Sequence, residues 1–79
     1  MTDYEHIVIS AVRYALGRMT YIVEITVNYI MQQIEDDKLS DECLKIIKRD
    51  IEEELKINGM FDSDRRQWVR LKTKIEGVK

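Results

Sequence analysis

The side chains that could do chemistry are few in this chain and stand far apart. The single histidine, His6, and the single cysteine, Cys43, are separated by 37 positions. Neither has a second Cys or His at zinc-ligand spacing, and neither has the neighbours of a nucleophilic catalytic group. The glycines at 17, 59 and 77 form no phosphate-binding loop. We therefore expect no catalytic residue, no metal and no cofactor, and we predict that the chain is not an enzyme.

Acidic side chains are concentrated in the middle of the sequence. Residues 35–54 contain nine acidic and four basic side chains, a net charge of −5. Spaced carboxylates can imitate the phosphates of DNA and bind the Lys and Arg side chains of a nucleic-acid groove. The candidate partner-binding residues are Asp36, Asp37, Glu42, Asp50, Glu53 and Glu54. The same pattern also fits a solvated helix face with internal ion pairs, such as Glu52 with Lys56.

Basic side chains are concentrated at the carboxyl end. Residues 65–79 contain six basic side chains and one acidic one, a net charge of +5. The alternative nucleic-acid-binding residues, which surround Trp68, are Arg65, Arg66, Arg70 and Lys72. The acidic isoelectric point of about 5.4 argues against a non-specific DNA-binding protein. Positive charge near a helix carboxyl end also suits the helix dipole, so these residues fit a structural role as well.

The elements that must position these charges are predicted to be helices. Thr2 and Glu5 have the spacing of a capping box, and Gly17 can end the helix that they begin, which we place at residues 3–16. Residues 21–34 are rich in β-branched side chains, but they are long for a strand and keep a helical stripe. We interpret them as a second helix with Thr20 as its N-cap.

Two further helices follow in the second half of the chain. Ser40 is predicted to cap the third helix, and Asn58-Gly59 to end it. The fourth helix is expected to start at Asp62 or Ser63. Met60-Phe61 is expected to be a buried plug between these two helices, whereas Ile46 and Ile57 are expected to lie exposed on the third.

The apolar positions recur with helical spacing in all four segments. The predicted core is Tyr4, Ile7, Val8, Ala11, Val12, Ala15, Val23, Val27, Ile30, Ile34, Leu44, Ile47, Ile51, Leu55, Trp68, Leu71 and Ile75, with Cys43 beside it. The chain has 79 residues, no proline, 44% hydrophobic and 35% charged residues. We predict one all-α domain over residues 1–79, a small antiparallel bundle of about four helices.

The expected location is the cytoplasm. A single cysteine allows no internal disulfide, the amino terminus has no apolar signal-peptide region, and charged or polar residues interrupt every apolar stretch. These features predict neither a secretory signal nor a membrane span.

The segment RYALGRMTY, residues 13–21, reads physically as a helix end, a glycine stop and a capped restart. Arg18 can donate to the last free carbonyls of the first helix, although a ligand-binding role is the alternative. Followed by Ile22-Val23, the segment resembles one found in small, acidic, helical proteins of phages and prophages of Gram-positive bacteria. Residues 49–52 and 68–71 stand where those proteins have an Asp-rich helix and a late Trp.

The resemblance implies a phage-encoded helical protein and supplies no catalytic residue. By analogy of size, charge and origin with anti-CRISPR proteins, the leading hypothesis is a non-enzymatic inhibitor of a host protein. In the most concrete form of this hypothesis, the chain occupies the DNA- or PAM-binding groove of a Cas nuclease that carries its guide RNA. The acidic residues then imitate the phosphates of DNA. One alternative is a small DNA-binding regulator that uses the fourth helix. Another is a homodimeric assembly factor that pairs through Ile46 and Ile57.

Overall fold

A computed structural model describes residues 1–18, 20–57 and 59–78. They form four helices, and the described residues contain no strand. The helices are α1 (Asp3–Ala15), α2 (Thr20–Glu35), α3 (Asp41–Leu55) and α4 (Asp62–Glu76). The predicted all-α bundle of four helices is confirmed, and the β-branched segment after residue 20 is helical, as its length and stripe indicated.

Both predicted amino-terminal caps of α1 and α3 are present. Thr2 and Glu5 form a complete capping box, in which each side chain bonds the backbone N–H of the other residue. The Ser40 hydroxyl accepts from the backbone N–H of Cys43 at 3.2 Å. These contacts satisfy donors that the first helical turns leave free, so they fix where each helix begins.

The helix boundaries differ from the predicted ones by a few residues. α1 ends at Ala15 because Leu16 is already extended, and Gly17 then adopts the left-handed conformation with φ +84°. Thr20 is the first residue of α2 and not its cap. α3 ends at Leu55, one turn before the predicted Asn58-Gly59 stop, of which Asn58 lies outside the described residues.

The end of α2 shows the hydrogen bonds of a Schellman motif. The N–H of Asp37 bonds the carbonyl of Ile34, and the N–H of Lys38 bonds the carbonyl of Gln33, both at 3.0 Å. Asp37 occupies the left-handed position, with φ +56°. This turn directs the chain from α2 into α3.

The bundle consists of two helical hairpins packed side by side. α1 packs on α2 and on α3, and α4 packs on the same two helices, so α1 and α4 are diagonal. Within each hairpin the helices are antiparallel: Tyr4 meets Gln33 in the first, and Lys48 meets Glu76 in the second. Between hairpins they are parallel, since Arg13 of α1 meets Asp50 of α3.

The core follows the predicted stripes with a few corrections. The buried apolar side chains are Val8, Ile9, Val12, Ala15, Val23, Val27, Ile30, Leu39, Cys43, Leu44, Ile47, Ile51, Trp68, Leu71 and Ile75. Tyr4, Ile34 and Leu55 are only partly buried against this cluster. Trp68 is the largest side chain that is completely buried, so its predicted core position is confirmed.

Four expectations about burial are wrong. Ile7, expected in the core, is 65% exposed, and Ala11 is exposed beside it. Phe61, expected as a buried plug, is 69% exposed and stands immediately before the first turn of α4. Ile46, expected on the surface, is half-buried against the core. The exposed position of Ile57 is confirmed.

Candidate interaction site

The six acidic candidate residues lie in two separate groups. Asp36 and Asp37 are in the turn between α2 and α3, and Glu42 is in the first turn of α3. Asp50, Glu53 and Glu54 are in its last turns. Because an α-helix rises about 1.5 Å per residue, the second group lies roughly 12 to 18 Å from Glu42 along the helix axis. The structure therefore does not bring the six carboxylates into one cluster.

Part of this acidic charge is already paired within the fold. Asp50 accepts a hydrogen bond from Arg13 Nε at 2.8 Å. Glu53 lies 3.6 Å from the Lys56 ammonium. Helical spacing also places Lys45 and Arg49 between Glu42 and Glu53 on the same face of α3. The exposed face of α3 is consequently one of mixed charge.

Three of the four basic candidate residues connect α4 to its neighbours. Arg65 donates to the backbone carbonyl of Leu55 at 3.1 Å, and Arg70 donates to the Asn28 side chain of α2. Lys72 lies 3.6 Å from Glu52 and 3.4 Å from Glu76. Arg66 is exposed. These contacts hold α4 against α2 and α3, so Arg65, Arg70 and Lys72 have a structural role.

The outer side of the first hairpin is an apolar and aromatic surface, which we call the hairpin face. It is formed by Tyr4, Ile7, Ala11 and Tyr14 of α1 and by Tyr21, Ile25 and Tyr29 of α2. In each helix these residues recur every three or four positions, which places them on one side. Between the two helices runs a groove of about 220 Å³, lined mainly by apolar side chains that include Ile7, Ile25 and Tyr29.

The exposure of the hairpin face is high for such side chains. Ile7 is 65% exposed and Tyr21 is 73% exposed. Of the nine large hydrophobic side chains that are exposed among the described residues, five belong to this face. Single exposed apolar residues are ordinary on protein surfaces, but a contiguous group marks an interaction site.

One end of the hairpin face is held by a pair of tyrosines. The Tyr4 hydroxyl donates to Gln33 Oε1 at 2.6 Å and lies 2.6 Å from the Tyr29 hydroxyl. Since the single Tyr4 proton goes to Gln33, the Tyr29 hydroxyl must be the donor to Tyr4. Burial raises the pKa of Tyr4 to about 12. These two hydrogen bonds hold the rings of Tyr4 and Tyr29 in place at this end of the face.

At the other end of the bundle, the hairpin face borders a cleft of about 270 Å³. The cleft lies between the turn after α1 and the loop after α3. Its lining includes Gly17, Arg18, Glu54, Phe61, Asp64 and Trp68. The Arg18 guanidinium stands 4.6 Å from the centre of the Tyr14 ring, and its Nε donates to the Tyr14 carbonyl at 3.2 Å. Arg18 therefore links the cleft to the hairpin face.

The segment 13–21 contributes to both surfaces. The predicted bond from Arg18 to a carbonyl at the end of α1 is confirmed. Arg13 binds α3 and Ala15 is in the core, whereas Tyr14 and Tyr21 are exposed. Reading the segment as a turn accounts for its glycine and arginines but not for the two exposed tyrosines. Their spacing of three or four residues from Ala11 and Ile25 is the sequence signal that could have revealed the hairpin face.

None of the described helices combines the length and the apolar character needed to cross a membrane. Within residues 1–18, 20–57 and 59–78, no three His, Cys, Asp or Glu side chains are grouped so that they could hold a metal ion. No protein-family model, no curated protein sequence and no solved structure matches this chain at a significant level.

Proposed function

We propose that this chain is a non-enzymatic binding protein that docks on a single protein partner through the hairpin face. The proposal depends on five large exposed side chains that recur with helical spacing on one side of α1 and α2, around an apolar groove. They are Ile7, Tyr14, Tyr21, Ile25 and Tyr29. Aromatic residues that are held rigidly lose little side-chain entropy on binding, and they are enriched where interfaces gain most of their affinity.

The occupant of the groove is an amphipathic helix of the partner. A groove between two antiparallel helices accepts a third helix in the same way that helices pack in bundles. The partner helix supplies apolar side chains to the groove and a basic side chain at the end that borders the cleft, where Glu54 and Asp64 lie.

The resemblance of residues 13–21 to phage proteins supports a stoichiometric inhibitor that acts in the cytoplasm of a bacterial host. The most concrete partner is a Cas nuclease with its guide RNA, which would make the chain an anti-CRISPR protein. Acidic mimicry is the less supported mechanism for such an inhibitor, because Asp50 and Glu53 are paired internally and the six acids form two groups.

The test is affinity capture from a CRISPR-containing Gram-positive lysate treated with nuclease, with the natural chain and two matched variants. Ile25→Asp places a charge in the hairpin face. Val69→Asp places the same charge at an exposed apolar position of α4, outside the face. We expect the natural chain and Val69→Asp to retain one protein in stoichiometric amount, and Ile25→Asp to lose it.

Three other outcomes would contradict the proposal. Equal capture by both variants would mean that the hairpin face is not the interface. Retention of DNA, with proteins lost after nuclease treatment, would favour the regulator that uses α4. A dimer in light scattering that Ile25→Asp converts to a monomer would assign the face to a second copy of the chain.

A further inference from the structure

The cleft at the end of the hairpin face contains a buried carboxylate that the fold leaves incompletely bonded. Asp64 is only 3% exposed, and its Oδ1 atom has no hydrogen-bond partner among the described residues. The indole Nε1 of Trp68, one helical turn later on α4, is likewise buried without a partner. Buried polar atoms are nearly always bonded in folded proteins, so such a pair in one cleft points to a ligand.

The charges around the cleft favour a cation. Glu54 supplies a second carboxylate on the α3 side. Arg18 also lines the cleft, but its guanidinium is directed onto the Tyr14 ring and carbonyl of α1. The exposed Phe61 ring stands at the rim, and the Trp68 ring forms part of the wall. Carboxylates beside aromatic rings form a common environment for binding a cation.

We propose that the cleft binds the guanidinium group of an arginine side chain presented by the protein partner, with Asp64 and Glu54 as the accepting carboxylates. This inference rests on the proposed function, since the arginine belongs to the helix that docks on the hairpin face. A guanidinium group offers five N–H donors in a plane, so it can bond two carboxylates at once and stack on an aromatic ring.

The size of the cleft fits this assignment. Its volume of about 270 Å³ lies below the range of roughly 300 to 1,000 Å³ that is usual for drug-sized ligands, so a single side chain is the appropriate occupant. The arginine side chain is long enough to carry its guanidinium group into the cleft while its backbone stays outside, on the hairpin face.

The chain itself provides the reporter for a direct test, because Trp68 is its single tryptophan. The probe is N-acetyl-arginine-N-methylamide, titrated into the purified full chain while tryptophan fluorescence is recorded. We expect a saturable change in fluorescence. Binding should be about tenfold weaker for the citrulline analogue, which has the same shape without the charge, and weaker for the lysine analogue. No saturable change, or equal responses to arginine and citrulline, would overturn the proposal.

Two neighbouring aspartates of α4 give a matched pair of variants. Asp64→Asn removes the buried charge with little change in shape, and Asp62→Asn removes an exposed charge outside the cleft. We expect Asp62→Asn to bind the arginine probe as the natural chain does, and Asp64→Asn to bind it at least about tenfold more weakly. Equal binding by both variants contradicts the assignment.

If Asp64→Asn loses its helical circular dichroism signal, Glu54→Gln is tested in its place. Unchanged arginine binding by Glu54→Gln would then overturn the proposal. The titration contains no protein partner, so its failure leaves the hairpin face standing as a docking surface. Conversely, capture through the hairpin face can fail while the cleft still binds the arginine probe.

Discussion

The Glu5 carboxylate accepts a hydrogen bond from the backbone N–H of Ser40 at 2.6 Å, and this contact ties the start of α1 to the start of α3. Glu5 is 96% buried from solvent by its neighbours and also accepts from the Thr2 backbone N–H at 2.9 Å. The Ser40 side chain, the Thr2 N–H and the Ser40 N–H, in that order, lower the pKa of Glu5 to about 2. One carboxylate thus joins the amino ends of two helices from different hairpins.

The lowered pKa of Glu5 predicts a loss of stability in acid. A carboxyl group whose pKa is lower in the folded chain stabilises the fold fully above its ordinary pKa of 4.5, and this contribution is lost as the pH falls toward about 2. Urea unfolding at several pH values should show this loss in the natural chain. Glu5→Gln should be less stable at neutral pH and should show a shallower decline below about pH 4.5. An unchanged acid slope in this variant would remove Glu5 as the cause.

The left-handed conformation of Asp37 predicts a stabilising substitution. Its φ of +56° places a side chain where glycine is preferred, and its negative charge lies at the carboxyl end of α2. Asp37→Gly should therefore raise the free energy of unfolding by about 0.5 to 1 kcal/mol.

Gly17→Ala is the converse change, because Gly17 has φ +84° and an added Cβ meets only Glu54 Oε2, at 3.8 Å. It should cost about 1 kcal/mol, and thermal unfolding of both variants tests the pair.

Burial makes Cys43 unreactive in the native protein. Its side chain lies in the core, and burial, followed by the charges of Glu5 and Glu42, raises the pKa of the thiol to about 11. The reactive thiolate is then scarce at pH 8, and the reagent has no access to it. A thiol-labelling reagent should modify Cys43 only as fast as the chain unfolds, whereas Ser10→Cys, at an exposed position, should react immediately. Rapid native labelling of Cys43 would contradict the described core.

Much of the fold could be predicted from the sequence because its signals are local. The capping box at Thr2, the cap at Ser40 and the left-handed Gly17 each depend on residues within one helical turn. The neighbours of each helix depend on long-range packing instead. The apolar pattern of each helix does not indicate which other helices it packs on. It therefore does not predict that α4 packs on α2 and α3 and lies diagonally opposite α1.

Because the packing partners of each helix could not be predicted, the burial of several residues at the candidate site was predicted wrongly. α1 has more apolar positions than its two neighbours can cover, so Ile9 is buried toward the bundle and Ile7 remains outside. Which edge stays exposed is decided by α3, whose position the sequence of α1 does not specify. The sequence does not indicate the burial of Asp64 for the same reason, since this burial depends on the loop after α3 and the turn after α1 together.

Charge reversal on α3 separates the hairpin face from acidic mimicry. Glu42→Lys with Glu53→Lys reverses two exposed candidate acids, and neither residue belongs to the hairpin face or lines the cleft. In a DNA-cleavage assay with Cas nuclease–guide RNA complexes from Gram-positive hosts, an inhibitor that acts through the hairpin face should retain most of its inhibition after this reversal. Complete loss, with helical circular dichroism unchanged, would favour the acidic mechanism.

Site-specific photo-crosslinking in the host cell is the direct test of whether a partner protein docks on the hairpin face. A photoreactive phenylalanine analogue replaces Tyr21 in the hairpin face or, as the control, Val69 on α4, both of which are exposed. We expect one adduct at position 21, heavier than a dimer of this chain, and none at position 69. An adduct at position 69 without one at 21, or an adduct with the mass of two copies of the chain, would contradict docking of a partner protein on the hairpin face.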